Sequence, residues 1–278
     1  MNRYHAAPLI SLTLLVLLAA ACNRNGDPAS VQTPVKNVPA TTPPVQEQAS
    51  TQLKDVVETT ERYIVGISYP SAALKYPGLA AELKKYADAA RGELMQAVSG
   101  LGNDKPASPY DLSLSFNQLL DTPELVAIAA DGSIYTGGAH GMPLIARFVW
   151  LPQQNVLLQP QQLITGETGW KAISLYVREQ LHGALSARIE ADEVPAGERA
   201  GMIKSAGKMI DEGSEPDPRN FAQFEPVVDA SGKMKALRFV FPPYQVGPYA
   251  DGTQTVDVPA EVVLPHVTPM YRKLFVGG

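Results

Sequence analysis

Phe239-Val240-Phe241-Pro242-Pro243-Tyr244-Gln245-Val246-Gly247-Pro248-Tyr249-Ala250-Asp251-Gly252 is the stretch around which the chain is organised. It reads as the end of a strand that enters a stiff aromatic loop and leaves as another strand over 253–258. Pro242, Pro243 and Pro248 fix φ and remove backbone donors, so the loop is neither a helix nor a strand in mid-sheet. Gly247 and Gly252 permit the turns that bring the chain back. Tyr244 and Tyr249, carried on such a loop, can cap a core with their rings and still offer hydroxyls to a partner. Closing the fold is the simpler use of these tyrosines, and the stretch holds no catalytic signature.

Working backwards, Leu237, Phe239 and Phe241 alternate on the strand that delivers the loop. Phe221, Phe224 and Val227-Val228 lie on the strand before it, with a turn at Asp229-Ala230-Ser231-Gly232. The segment 190–220 is polar, and Met202, Ile203, Met209 and Ile210 mark one short helix inside it. Trp170, Ile173, Val177, Leu181, Leu185 and Ile189 keep helical spacing after a start at Thr165-Gly166-Glu167-Thr168. Downstream of the loop, Pro259-Ala260-Glu261 opens a helical turn. Pro265 and Pro269 keep the last elements of the chain short.

The first half of the body has the same mixture. Tyr63, Val65, Ile67 and Tyr69 alternate as on a half-buried strand. Leu79, Leu83, Tyr86, Ala90, Leu94 and Val98 then set out an amphipathic helix with Lys84, Lys85, Asp88 and Arg91 on its other face. Tyr110, Leu112, Leu114 and Phe116 alternate, 124–130 is a further strand, and Asp131-Gly132 reads as a hairpin turn. Thr136-Gly137-Gly138-Ala139-His140-Gly141 is a glycine-rich connection to Leu144, Ala146, Phe148 and Trp150. Pro152-Gln153-Gln154-Asn155 turns into a short strand over 156–158. The fold class expected is α+β, with antiparallel sheets packed against two main amphipathic helices in two interlocked lobes.

Of the 278 residues, 45% are hydrophobic and 18% charged, enough for a globular body with a core. A formal net charge of −5 and scattered basic residues argue against a nucleic-acid partner. Residues 1–22 read as a signal segment: Arg3 supplies positive charge, 9–21 is almost wholly apolar, and Leu18-Ala19-Ala20-Ala21-Cys22 resembles a bacterial lipobox. Cys22 is the single cysteine, so no intramolecular disulfide or zinc–thiolate site is open to the chain, and lipidation is its expected fate. Residues 23–54 are rich in Pro, Ser, Thr and Gln and read as an extended tether. The chain is thus expected at the cell envelope, held to a membrane by its N-terminal lipid. Asn23 after the cysteine points to the periplasmic face of the outer membrane in a diderm.

Known catalytic patterns are absent: no Gly-x-Ser-x-Gly elbow, no His-Glu-x-x-His, no phosphate loop and no dinucleotide fingerprint. No metal site and no cofactor are expected. His140 is the best single candidate for chemistry, since its glycines allow close approach of a ligand and Thr136 with the loop amides could cradle an anion. A tight strand connection explains the same residues more simply. His182 and His266 read as structural, and nothing in the sequence favours acid–base catalysis by a pair such as Glu124 and Asp131. Thr136, Gly137, Gly138, His140, Tyr244 and Tyr249 form the candidate ligand-binding set.

Two blocks then acquire a meaning together. Tyr135-Thr136-Gly137-Gly138-Ala139-His140-Gly141 is one. The other is Phe221-x-x-Phe224 followed by Phe239-x-Phe241-x-x-Tyr244-x-Val246-x-Pro248-Tyr249-x-x-Gly252. The pair resembles the extracellular domains of unknown function of the RsiV type, whose N-terminal member is shared with the peptidoglycan deacetylase PdaC. The resemblance runs from Val56 to Val267. It implies a first lobe over 55–158, a second over 159–268, and a tail over 269–278. RsiV-type proteins carry a sigma-binding segment and a membrane helix where this chain has a lipobox, so anti-sigma activity is not expected. The activity of PdaC belongs to a separate domain. What the resemblance implies for function is recognition of a lysozyme-like protein or of peptidoglycan by a non-enzymatic module. The alternative is an envelope hydrolase working through His140.

Overall fold

The computed structural model describes residues 53–278. Cys22, the signal segment and the tether up to residue 52 lie outside the described residues. In chain order the body runs β1 (Val56–Thr59), β2 (Tyr63–Ser68), a 3-10 turn (Ser71–Lys75), α1 (Pro77–Gly100), β3 (Tyr110–Asp121), β4 (Val126–Tyr135), β5 (Met142–Leu151) and β6 (Val156–Leu157). It continues with α2 (Pro160–Leu163), α3 (Gly166–Ala191), α4 (Ala196–Gly213), β7 (Phe224–Val228), β8 (Met234–Phe241), β9 (Gln254–Pro259), α5 (Ala260–Val263) and α6 (Pro269–Arg272). The fold is α+β, with a six-stranded sheet in the order β1 to β6 and a three-stranded sheet β7-β8-β9.

α1 starts at Pro77, where the missing N–H of proline costs nothing. Its apolar stripe lays Leu79, Leu83, Ala87, Ala90, Leu94 and Val98 on one face of the large sheet. There they meet Val65, Ile67, Leu112, Leu114, Phe116, Ile128, Ala130, Phe148 and Trp150. Full burial of each large side chain contributes about 1.5–3 kcal/mol. The second core lies under α3, whose Trp170, Ile173, Val177, Leu181, Leu185 and Ile189 cover the small sheet. At its centre Phe221 stacks on Trp170 at 5.7 Å and meets Phe239 and Phe241 edge-on at 5.1 and 6.1 Å.

β5 belongs to both cores. Its side chains alternate, so Phe148 and Trp150 point into the α1 core while Val149 and Leu151 enter the α3 core. The second lobe therefore sits against the face of the large sheet that α1 leaves free.

Four features depart from the sequence reading. First, Asp131-Gly132 is not a turn: β4 runs straight through it, paired with β3 on one side and β5 on the other. A Cβ on Gly132 would lie 2.0 Å from the Ser113 carbonyl oxygen, so the glycine serves a close approach between strands. Second, β2 and β3 pair in parallel, because α1 carries the chain back over the sheet between them. Third, α4 is a long third helix rather than a short one, packed through Gly207 and Ile210 while Met202 and Ile203 stay exposed. Fourth, β1 adds an edge strand that no alternation had marked.

Candidate functional site

The β4–β5 loop, 136–141, presents His140. Gly137 and Gly138 both take φ of 101°, a region closed to most side chains, and so reverse the chain within a few residues. Tyr135 donates from its hydroxyl to the Gly138 carbonyl at 3.3 Å.

The aromatic loop approaches from the second lobe. Phe241, fully buried, ends β8 and anchors its entry. The Tyr244 N–H donates to the Gly247 carbonyl at 3.0 Å and the Gln245 N–H to that of Pro242 at 3.1 Å. The Gln245 amide donates to the Gly213 and Asn220 carbonyls at 2.9 and 2.8 Å, tying the loop to the end of α4. That approach needs a glycine, since a Cβ on Gly213 would stand 1.9 Å from the Gln245 carbonyl oxygen. Tyr249 opens a 3-10 turn over Tyr249–Asp251, and Asp251 is paired with Arg188 of α3 at 2.7 Å. Tyr244 is held at φ 73°, a conformation that costs a side-chain-bearing residue about 1–2 kcal/mol.

The two loops meet. The Tyr249 ring stacks on the His140 imidazole with centroids 4.0 Å apart and planes within 19°. The Tyr244 hydroxyl lies 3.0 Å from His140 Nε2, and His140 Nδ1 lies 3.0 Å from the Gly141 carbonyl. A carbonyl only accepts, so Nδ1 carries the proton and, in the neutral ring, Nε2 accepts from Tyr244. Tyr249 donates to the same Gly141 carbonyl at 3.3 Å. The cluster faces solvent, with Tyr244 51% and Tyr249 36% exposed. Thr136 and Gly137 contribute no hydrogen bond to it.

Chemically the cluster is a set of exposed aromatic faces edged by hydroxyls. Both imidazole nitrogens are engaged, and neither meets a carboxylate. The remaining sequence candidates lie elsewhere: His182 pairs with Asp211 at 3.0 Å, and the His266 carbonyl accepts from the Thr165 N–H. Glu124 is 3.8 Å from Lys233, and Asp131 is bound by Arg147. Among the described residues no group of three or more His, Cys, Asp or Glu side chains is placed to hold a metal.

Sequence reasoning missed an alternating charge ladder beneath the site. Asp131 binds Arg147 Nη1 at 2.9 Å, Arg147 Nε binds Glu225 at 2.9 Å, Glu225 lies 3.6 Å from Arg238, and Arg238 grips Asp257 through two nitrogens at 2.6 and 2.9 Å. The Arg147 backbone N–H also donates to the Gln223 side chain at 2.7 Å. The ladder crosses from β4 and β5 into β7, β8 and β9, so it fixes the lobes in the register that brings the two loops together. The alternation of β5 held one signal: Arg147 interrupts an apolar strand.

Comparison with known proteins divides the chain at this seam. Residues 56–143 match the family described as Deacetylase PdaC, and residues 171–261 match the protein of unknown function DUF3298. The chain joins a PdaC-type domain to a DUF3298 domain. His140 comes from the first and both tyrosines from the second. The order agrees with the RsiV-type architecture implied by the two sequence blocks. A crystal structure of a DUF3298 family protein from Pseudomonas aeruginosa PAO1 superposes with a TM-score of 0.53 at 17% identity, covering 81% of this chain and 96% of that one. A DUF3298 member from Bacteroides fragilis NCTC 9343 gives 0.49 at 16% identity, covering 80% and 95%. The former likeness speaks for the fold alone. No curated protein sequence matches the chain significantly.

Proposed function

We propose that the PdaC–DUF3298 body is a non-enzymatic binding module of the cell envelope, carried on a lipid at Cys22. It takes hold of wall glycan, or of a lysozyme-like protein that works on such glycan, through the cluster of His140, Tyr244 and Tyr249. The observation that carries this reading is the exposed Tyr249–His140 stack at 4.0 Å, closed by the Tyr244 hydroxyl. Rigid aromatic faces give contact area at low entropic cost, and their hydroxyls add orientation. A hydrolytic His140 would need a nitrogen free for substrate and a group to orient it. Here both nitrogens are occupied within the cluster. The left-handed Tyr244 is a backbone strain of the kind retained at recognition sites.

The test is retention on purified cell wall and on immobilised muramidase, comparing the natural chain with Tyr249→Ala and His140→Ala. Retention is expected on one of the two matrices, lost on Tyr249→Ala while the melting curve is kept. Equal retention by all three proteins, or turnover of wall fragments that His140→Ala abolishes, would overturn it.

A further inference from the structure

The sheet face beside the aromatic cluster has a composition of its own. On the side that α1 does not cover, the strand register sets out three rows across the sheet. Tyr135, Asp111, Ile64 and Thr59 form the first. Ser133, Ser113, Gly66 and Val57 form the second, and Asp131, Ser115 and Ser68 the third. The second lobe reaches β3 at its far end, where Leu120 packs against the α3 core, but it leaves the three rows open: Ala127 and Ala129 are buried, whereas Ser113, Ser115, Asn117 and Ser68 are exposed. The Ser68 and Ser115 hydroxyls touch at 3.3 Å. Three strand spacings from Ser133 to Val57 make the shelf about 14 Å wide.

The aromatic cluster stands at the Ser133 end of the middle row. A Cβ built on Gly141 would lie 3.5 Å from Ser133 Cβ, and Gly141 is the residue whose carbonyl receives both His140 and Tyr249. The three rows hold no lysine or arginine, and their only charges are Asp111 and Asp131, the latter neutralised by Arg147. Such a surface offers a polyanion no cation, which argues against nucleic acid, and its exposed large apolar side chains are confined to Ile64 and Val57 at the β2–β1 end, short of a protein-docking core. Hydroxyls that both donate and accept, beside a stacking ring, match a polymer of hydroxyls with apolar ring faces.

We propose that this shelf, continuous with the aromatic cluster, binds a neutral glycan strand laid across β4, β3, β2 and β1, one sugar stacking on Tyr249 and the following ones contacting Ser133, Ser113 and Ser115. The proposal rests on the binding reading above and narrows it to glycan.

It is tested by titrating the natural chain with neutral β-1,4-linked oligosaccharides (chitin and cellulose fragments) of two to six sugars, with polygalacturonate as the anionic control. Affinity is expected to rise at least tenfold from the shortest to the longest oligomer, with no binding of the anionic polymer. The double variant Ser113→Lys/Ser115→Lys, at exposed positions, is expected to lose that gain with length while its melting curve stays that of the natural chain. Affinity independent of length, or a double variant that binds long oligomers like the natural chain, overturns the shelf. If Tyr249→Ala still abolishes retention on wall or muramidase in that case, the binding module stands and only its glycan shelf falls. Tighter binding of the polyanion than of the neutral oligomers also overturns the shelf.

Discussion

Arg147 is where the two lobes are most exposed to a single substitution. Its side chain is only 9% exposed and that of Glu225 14%, so their 2.9 Å contact is desolvated on both sides. Arg147→Met keeps the apolar length of the stem but leaves Glu225 buried with Arg238 alone, 3.6 Å away. Removing one member of a buried pair strands the other charge, a loss of about 3–5 kcal/mol. Because Arg238 remains, the lower end applies, about 3 kcal/mol. In a body of this size that corresponds to a fall in Tm of about 6–12 °C. Urea unfolding followed by circular dichroism measures it directly. Rescue is expected as well: Glu225→Leu in the same chain removes the stranded charge and should return most of the loss. Asp131→Asn, at a carboxylate that is 46% exposed, should cost under about 1 kcal/mol. A loss below about 1 kcal/mol for Arg147→Met, or no rescue by Glu225→Leu, would refute the ladder as the brace of the seam.

Three further outcomes are expected. Tyr244→Gly should leave stability within about 1 kcal/mol, since relief of the positive φ offsets the lost contacts of an exposed ring; retention of the partner should nevertheless fall severalfold, a separation that a purely structural tyrosine would not give. Gly132→Ala should cost about 2 kcal/mol or more in urea unfolding, because its Cβ would meet the Ser113 carbonyl oxygen at 2.0 Å; an alanine tolerated there would mean that β3 and β4 can part. Arg219 grips the Asp217 carboxylate through its side chain and its backbone N–H, pulling the pKa down to about 2. A depressed carboxylate supports the fold above its ordinary titration range and ceases to do so as pH falls through the folded value. The turn over Pro218–Phe221 should therefore keep its native signals to about pH 2 in NMR titration, and Arg219→Gln, which removes the guanidinium but keeps the backbone N–H, should raise the Asp217 pKa part of the way toward the ordinary carboxylate range.

How far the sequence could be read depends on what each signal encodes. The period of α1 and α3 was plain because both helices bury a stripe against a sheet, and burial is what periodicity records. α4 hides its length because only Gly207 and Ile210 are buried, leaving little stripe to count. Alternation along β2 and β3 marks two faces but carries no direction, so their parallel pairing depended on the crossover through α1. Asp131-Gly132 misled because a turn dipeptide reports local preference, and here pairing on both sides outweighed it. The two loops were conspicuous separately through their prolines, glycines and aromatics. That His140 would stack on Tyr249, a residue of the other domain, is a property of the seam, set by Arg147, which shows in the sequence only as a break in an apolar strand, and by Glu225, which looks like an ordinary surface charge.

β5 has a consequence for how the molecule comes apart. A strand whose alternate side chains are keyed into separate cores cannot leave one without opening the other. Local opening events are confined to regions with few buried contacts, and β5 is not such a region. Its central amides should exchange with solvent only through global unfolding, and calorimetry should show one transition rather than one per domain. A fragment ending at residue 143 would lose nearly all of β5 and bare the hydrogen-bonding edge of β4, an invitation to aggregate. The family boundaries divide the sequence; the cooperative unit straddles them.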